Sequence, residues 1–230
     1  MRTTPLVGAC VVALAILGGA RTASASLITY SDRSSFEGAV GVLTTETFED
    51  ANVVPGTVIA CSAPADSSSN DACFDPGDIE AGITFNVSNG QDPSEDLALA
   101  GAGSVGAATT NALFTNFSQS TLDIFFGSSN AIGFDLYNVF LGGLVDVSVY
   151  GAGGLLGTFA VNAPASGAGA FFGVYSTTEN ILRVNLSSQT GEFEGVDNVE
   201  FDTAAVPEPA TLTLLGAGLA GLYARRRVRA

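Results

Sequence analysis

The sequence contains no histidine, no lysine and no tryptophan, and only three of its 230 residues are cysteine. Without histidine or lysine, nucleophile systems of the Ser-His-Asp, Cys-His and Ser-Lys types are excluded, and so are zinc sites that rely on imidazole. Without tryptophan, the chain lacks the aromatic residue that most often stacks on sugar rings. Hydrolysis by a pair of carboxylates remains chemically open, because it needs only two acids about 5–10 Å apart.

Positive charge is scarce as well, and most of it lies at the two ends of the chain. Between residues 26 and 205 only Arg33 and Arg183 are basic, whereas all but one of the 23 acidic residues lie there. This segment therefore has a net charge of about −20. Phosphate binding needs a basic surface, so nucleic acid is excluded as a partner. Metal cations and neutral or cationic ligands are favoured instead.

The first 25 residues have the pattern of a secretory signal peptide. Arg2 supplies a basic start, an apolar run follows over residues 6–20, and an Ala-Ser-Ala site ends at Ala25. This order predicts export across the inner membrane, with cleavage between Ala25 and Ser26. We therefore expect the mature chain to begin at Ser26, in an oxidising compartment.

The last 25 residues, 206–230, combine three parts. Pro207, Glu208 and Pro209 form an extended spacer, because proline is excluded from helix interiors and central strands. The apolar run 210–224 carries no charge and predicts one helix of about 22 Å, which would insert into the inner membrane. A stop-transfer cluster follows, and it consists of Arg225, Arg226, Arg227 and Arg229.

This ending resembles the PEP-CTERM sorting signal of envelope proteins from Gram-negative bacteria that make exopolysaccharide. In that family a membrane-embedded protease-transpeptidase, exosortase, recognises the Pro-Glu-Pro element and removes the helix. The resemblance implies that the helix anchors the protein until exosortase processes it, and that the mature protein then lies in the cell envelope, on the outer surface or in the extracellular matrix. An ordinary C-terminal anchor would give the same topology without processing.

Residues 26–205 have the size and composition of one β domain. Alternation of apolar and polar residues is clearest over 144–150 and 181–186. Ser34 and Glu37 have capping-box spacing within one short helix near residues 31–40, and Gly142-Gly143 indicates a hairpin. We predict an all-β, antiparallel sandwich of jelly-roll type. Its predicted strands are residues 27–30, 42–48, 83–88, 113–117, 122–126, 132–136, 144–150, 155–161, 181–186 and 196–201.

Cys61 and Cys73 are the two cysteines that remain after removal of the signal peptide. An even pair in an oxidising compartment predicts a disulfide, which would contribute about 3 kcal/mol by restricting the unfolded chain. The loop around them, residues 60–80, is rich in aspartate. Two interpretations of this loop remain open: a solvated surface loop held by the disulfide, or a loop that wraps calcium.

Asp197 shares its alternation with Val199 and Phe201 on the predicted last strand, so we expect it to face the core. A buried carboxylate needs a partner, and Arg33, Arg183, backbone N–H groups and a metal ion are the alternatives. Pairing of the first and last strands would bring Glu49 close to Asp197.

Two short motifs, Phe48-Glu49-Asp50 and Gly195-Val196-Asp197-Asn198-Val199, resemble the opening and closing signatures of carbohydrate-binding-module-like sandwiches. Many such modules hold a structural calcium ion with an early acid and a late aspartate. The resemblance implies a calcium ion bound by Glu49 and Asp197. An Asp197 satisfied by backbone groups is the alternative.

Two functions are consistent with these observations. The first is a non-enzymatic surface or matrix protein, without catalytic residues, that exosortase sorts and that binds glycans of the extracellular polysaccharide. The second is a secreted carboxylate-dependent glycan hydrolase. Glu192 and Glu194, on either side of Phe193, are two acids available for that chemistry, but acids two residues apart on a loop are usually only solvated surface charge.

Overall fold

The computed structural model describes residues 26–104, 109–165 and 169–202. The predicted signal peptide up to Ala25 and the predicted sorting signal with its helix and arginines lie outside these residues. Within the described part of the chain, no helix has the length and apolar character needed to cross a membrane.

The described residues form antiparallel strands and one short helix, α1 (Arg33–Val40). In chain order the strands are β1 (Leu27–Tyr30), β2 (Thr44–Glu46), β3 (Val58–Cys61), β4 (Ala65–Asp66), β5 (Ile83–Ser88), β6 (Leu97–Ala100), β7 (Ala112–Thr115), β8 (Thr121–Ser129), β9 (Ala131–Asn138), β10 (Gly143–Gly151), β11 (Gly154–Ala163), β12 (Ala170–Ser176), β13 (Ile181–Ser188) and β14 (Glu194–Phe201).

These strands make two stacked sheets. Sheet A has the order β1-β12-β9-β14-β7-β6-β3, with β2 also paired to β14, and sheet B has the order β11-β10-β13-β8-β5-β4. Alternate residues of both sheets fill the core between them, for example Phe134 from β9 and Val147 from β10. Each large apolar side chain buried in this way contributes about 1.5–3 kcal/mol. The prediction of an all-β antiparallel sandwich is therefore confirmed.

Helix α1 lies on the outer side of sheet A, and one side chain fixes its position. Phe36 is its only buried residue and packs over Gly133 and Gly173 on the adjacent strands β9 and β12. A Cβ at either glycine would lie 2.8 Å from the Phe36 ring, so both positions need glycine. The helix is capped by Asp32, which accepts a hydrogen bond from the Ser35 N–H at 2.9 Å. The predicted Ser34–Glu37 capping box is thus replaced by a cap two residues earlier.

The hairpin predicted at Gly142-Gly143 is wrong. β9 pairs with β12 and β14 in sheet A, whereas β10 pairs with β11 and β13 in sheet B. Both glycines have positive φ, 68° and 128°, so the chain does turn sharply there. The turn carries it from one sheet to the other, and a local turn signal cannot distinguish these two outcomes.

The disulfide between Cys61 and Cys73 is confirmed, with Cα atoms 5.7 Å apart, and it joins β3 to the acid-rich loop. Inside that loop Asp71 accepts hydrogen bonds from the N–H groups of Cys73 at 2.8 Å and Phe74 at 3.0 Å. At least one of the loop's acids therefore organises its turns.

Candidate binding face

The outer side of sheet A carries a second hydrophobic cluster that is separate from the core. It comes from residues of β6, β7 and β9 that alternate with core residues, a pattern that normally gives polar side chains on an outer face. We call this cluster the aromatic face, and its members are Ala100, Ala112, Phe114, Tyr137 and Val139, with the partly buried Phe193 packed against them. The first five are at most 3% exposed, so solvent reaches the cluster only at its edge.

A glycine creates the space for the rings of the aromatic face. Gly195 on β14 lies directly between Phe114 on β7 and Tyr137 on β9. A Cβ at position 195 would overlap the Phe114 ring. The two rings approach across the glycine, with centroids 5.9 Å apart.

A groove opens at one end of the aromatic face. Its volume is about 290 Å³, near the lower end of the usual range for small-ligand sites. Phe140 is 67% exposed at this groove and contacts Phe193 edge-to-face, with centroids 5.5 Å apart. Phe140 has a positive φ of 75°, which is costly for a bulky residue, and it lies in the turn closed by the hydrogen bond from the Gly142 N–H to the Asn138 carbonyl. The groove is lined by Val58, Ala98, Phe114, Asn116, Val139, Phe140 and Phe193.

Asp197 lies beside the aromatic face and is fully buried. The Thr110 hydroxyl donates to Asp197 Oδ2, and the Asn198 N–H donates to Oδ1 at 2.6 Å. Burial raises the carboxyl pKa of Asp197 to about 6, and the nearby charges of Asp135 and Glu49 act in the same direction, against the hydrogen bonds from Thr110 and Asn198. The partners of this carboxylate are therefore a hydroxyl and a backbone N–H, with one further bond from the Asn198 amide.

The expectation that Asp197 faces the core is wrong. A bulge between Asp197 and Glu200 shifts the alternation of β14, and Asn198 adopts a φ of 47° there. Val196 and Val199 consequently both face the core, while Asp197 turns to the outer side opposite Asp135.

Arg33 neutralises two carboxylates next to Asp197. Its guanidinium forms ion pairs with Asp135, at 3.1 Å, and with Glu200. It also lies over the Phe171 ring, 4.7 Å from the centroid. The Asn198 amide then joins Asp135 to Asp197, with both N···O distances at 3.0 Å. Arg33 thus reaches Asp197 only through Asp135 and Asn198.

The structure brings Glu49 into the same neighbourhood. Glu49 Oε1 accepts the Asn111 N–H at 2.8 Å, and the Asn111 amide donates to the carbonyl of Phe48 at 2.9 Å. Thr110 and Asn111 therefore connect Glu49 with Asp197. Among the residues that the structure describes, no group of three or more His, Cys, Asp or Glu side chains is arranged to hold a metal ion. A calcium ion at Glu49 and Asp197 stays a prediction.

Sequence reasoning missed Asp135, Thr110 and Asn198. The outward position of Asp135 could have been predicted, because Asp135 alternates with the apolar residues of β9. Thr110 and Asn198 carried none, because their roles depend on strands that are distant in sequence.

Glu194 has a different role from its neighbour Phe193. It is buried, and its carboxylate accepts the Ser188 N–H of sheet B and the Thr115 hydroxyl of sheet A, the latter at 3.2 Å. Burial raises its pKa to about 7, against the hydrogen bonds that it accepts. Glu194 therefore ties the two sheets together, while Phe193 lines the groove and Glu192 is half-buried.

The outer side of sheet B, which we call the polar face, follows the usual pattern. Asn185 donates to Asp123 at 2.9 Å, and the Arg183 guanidinium lies 3.7 Å from Asp123 and over the Tyr150 ring. Arg183, one of the proposed partners of Asp197, is thus engaged on the opposite side of the sandwich.

Known proteins resemble the two parts of the chain separately. Residues 205–227 match the family model of the PEP-CTERM protein-sorting motif. No curated protein sequence matches the chain. Among solved structures, it is similar to the catalytic domain of a GH87 α-1,3-glucanase in complex with tetrasaccharides, at 16% identity and a TM-score of 0.29 over 54% of this chain. The chain spans only 29% of the length of that structure.

Two structures of a smaller protein match over more of the chain. A family 11 carbohydrate-binding module of a cellulosomal cellulase from Clostridium thermocellum is 8% identical, with a TM-score of 0.26 over 72% of this chain and 98% of the module. A second structure, with a β-1,3-1,4-mixed-linked tetrasaccharide bound, is 9% identical, with a TM-score of 0.26 over 73% of this chain and 100% of the module. The sorting motif indicates export and sorting to the cell envelope. The chain is thus an exported protein in which a β-sandwich domain precedes a PEP-CTERM sorting motif.

Proposed function

We propose that this chain is a non-enzymatic protein of the cell envelope or extracellular matrix, processed by exosortase, whose aromatic face binds glycan chains of the extracellular polysaccharide. Before processing, the uncharged apolar run over residues 210–224 would hold it in the inner membrane. The observation that carries the glycan proposal is the groove between Phe140 and Phe193, which presents rings to solvent on a face where an ordinary sheet is polar.

The groove suits a sugar chain that is neutral or cationic. Aromatic rings bind the apolar C–H faces of sugars. Asn116 also lines the groove, and because its amide nitrogen donates to the Glu95 carbonyl at 2.7 Å, its amide oxygen is the group that would accept from a sugar hydroxyl. The surrounding charge is negative, since Arg33 is already paired with Asp135 and Glu200. A polyanionic glycan would meet repulsion from the whole domain, whose net charge is about −20.

Burial of the carboxylates favours binding over hydrolysis. Asp197 and Glu194 have the raised pKa values expected of a general acid, about 6 and about 7. Their exposed fractions are 0% and 1%, however, and their oxygens already accept hydrogen bonds from the protein. A sugar cannot reach either group without local opening. A secreted carboxylate-dependent glycan hydrolase remains the alternative.

Co-sedimentation of the exported protein with the exopolysaccharide of the same bacterium tests glycan binding. Phe193→Ala and Phe140→Ala should each weaken binding about 10-fold, because each removes a ring from the groove. Phe125→Ala is the matched control, since Phe125 is 37% exposed on the other sheet, and it should leave binding unchanged. Equal binding by all four proteins would exclude the groove.

Two further measurements separate the remaining parts of the proposal. Release of reducing ends, lost in Asp197→Asn or Glu194→Gln, would establish the hydrolase. The intact mass of the protein from envelope and medium shows whether residues 1–25 and the tail are removed. Exosortase processing requires removal of the tail.

Calcium binding by Glu49 and Asp197 is a separate proposal. It is supported by the repulsion that Asp135 and Glu49 exert on Asp197, which a divalent cation would relieve. Thermal melting should then shift upward with calcium and return with EDTA, and the shift should be lost in Glu49→Gln. A melting temperature that changes with neither calcium nor EDTA would contradict this proposal.

A further inference from the structure

Strand β11 is an edge strand without the usual protection. It ends sheet B and has ten residues, whereas the other edge strands β1, β3 and β4 have four, four and two. Among the described residues it pairs only with β10, so every second residue directs its N–H and C=O groups away from the sheet. Natural edge strands are commonly short, or carry lysine or proline. Residues 154–163 contain no charged residue and no proline.

The absence of charge extends well beyond β11. No charged residue occurs between Asp146 and Glu179, a stretch that contains β11 and β12. The rest of the domain is strongly acidic, so two copies repel each other in most orientations. The nearest carboxylates are Asp146, which lies one strand behind on β10, and Glu179, which contacts the turn between β10 and β11. Along β11 itself two copies can approach without bringing carboxylates into direct contact. The charge pattern therefore favours a second copy of the same chain as the partner.

The core is also incompletely covered beside this edge. Leu156, Phe159 and Val161 point toward the core but are only partly buried. A large open groove of about 910 Å³ separates β11 from β1 and β12. Leu155 on the outer side of β11 is 59% exposed. A neighbouring strand would satisfy the backbone groups and cover part of this apolar surface at the same time.

We propose that β11 pairs antiparallel with β11 of a second copy, about a two-fold axis, so that sheet B continues from one molecule into the next. An antiparallel pair of identical strands is self-complementary, and each strand offers the other the same row of donors and acceptors. The contact is small compared with stable interfaces. We therefore expect a dissociation constant on the order of 10–100 µM.

Sedimentation velocity on the full chain, expressed for export and purified in a mild non-ionic detergent, tests this pairing. Ala160→Glu places a carboxylate on the exposed side of β11 in both copies, and Ala60→Glu places the same change on the exposed side of β3, an edge strand of sheet A. Wild type and Ala60→Glu should show a concentration-dependent monomer–dimer equilibrium. Ala160→Glu should raise the dissociation constant about 10-fold or more.

The tail and the detergent are identical in all three proteins, so association through the tail cannot produce the difference. The side chain at 160 points to solvent but lies opposite Asp146 on β10, so Ala160→Glu also places two carboxylates together within one molecule. Ala160→Lys removes this effect, because it faces Asp146 with the opposite charge, yet it still places like charges across the proposed contact and should weaken the dimer too. Thermal melting of both variants checks that the fold is retained. Wild type that stays monomeric up to about 500 µM would overturn the proposal. So would dimers, or larger assemblies, that Ala160→Glu leaves intact.

Discussion

The two outer faces of this sandwich lie over the same core but have opposite character. On sheet B most outward residues are polar or charged and bond one another, as Asn185 does with Asp123. Phe125, Tyr150 and Leu155 also lie on this side, but they do not form a cluster. On sheet A the corresponding positions of β6, β7 and β9 carry alanine, phenylalanine and tyrosine. The rings of Phe114 and Tyr137 are nevertheless only 3% exposed, so these residues pack as a second, smaller core. The rings that solvent meets are those of Phe140 and Phe193, at the edge of this cluster.

Glycine residues on sheet A explain much of this difference between the two outer faces. Gly133, Gly173 and Gly195 all lie on the outer side of sheet A, and each makes room for an aromatic ring, that of Phe36 or Phe114. On sheet B, Gly127 has open space where a Cβ would be. The aromatic face is therefore a closely packed cluster. Each prediction below compares one change on the outer side of sheet A with the same change on the polar face.

The two arginines of the domain, one on each face, should give the largest contrast. Arg33→Ala leaves Asp135 and Glu200 without their cation in a partly buried site, and should lower the free energy of unfolding by about 2–4 kcal/mol. Arg183→Ala removes a 3.7 Å ion pair and a contact with the Tyr150 ring, and should cost about 0.5–1.5 kcal/mol. Urea denaturation measures both, and equal losses would contradict the account.

The next contrast is between two glycines. Gly195→Ala forces the Phe114 ring out of its position, and should lower the free energy of unfolding by about 1–3 kcal/mol while it weakens glycan binding. Gly127→Ala meets nothing closer than 4.0 Å, and should be neutral or stabilise by up to about 1 kcal/mol. Urea denaturation together with co-sedimentation checks this, and tolerance of Gly195→Ala on both measures would refute it.

The smallest contrast concerns pH. The pKa of Asp197 is 3.8 when the group is exposed and about 6 in the fold, so the folded state binds its proton more tightly. The contribution of Asp197 to the free energy of unfolding consequently falls as pH rises from about 4 to about 6, and stays low above that. Asp197→Asn should remove this part of the fall and raise the free energy of unfolding at pH 7 by about 1–2 kcal/mol. The fall caused by Glu194, whose pKa is raised to about 7, should remain.

Asp123→Asn on the polar face is the control for the pH experiment. It breaks the contacts with Arg183 and Asn185 but leaves Asp197 untouched, so the decline between about pH 4 and about pH 6 should persist. Thermal melts across this pH range record both variants. Parallel profiles for wild type and Asp197→Asn would show that the buried carboxylate is not responsible.

Much of the fold could be predicted from the sequence, because apolar and polar residues alternate along strands that have one buried and one exposed side. β1 and β5 have the predicted bounds, and most other predicted strands occur with shifted ends. β3, β4, β6 and β12 were not predicted as strands. β6, for example, is buried on both sides, so its apolar run carries no alternation. The hairpin error at Gly142-Gly143 has another cause, since sheet membership is decided by distant strands.

The candidate site was predictable only in part. The juxtaposition of Glu49 and Asp197 follows from pairing of β2 with β14, which the sequence suggested. The bulge at Asn198 reversed the side on which Asp197 lies, and a period-two pattern cannot reveal a single inserted residue. The aromatic face depends on Phe114, Tyr137 and Gly195 meeting from three strands, which no local pattern encodes.

Amide hydrogen–deuterium exchange of the exported protein, with and without exopolysaccharide, tests the central claim most directly. If the groove at the edge of the aromatic face binds glycan, added glycan should slow amide exchange in residues 112–116, 137–140 and 193–195. Exchange in residues 121–125 and 183–187, on the polar face, should not change. Protection confined to the polar face, or no protection at a glycan concentration that co-sediments the protein, would contradict the claim that sheet A presents the binding surface.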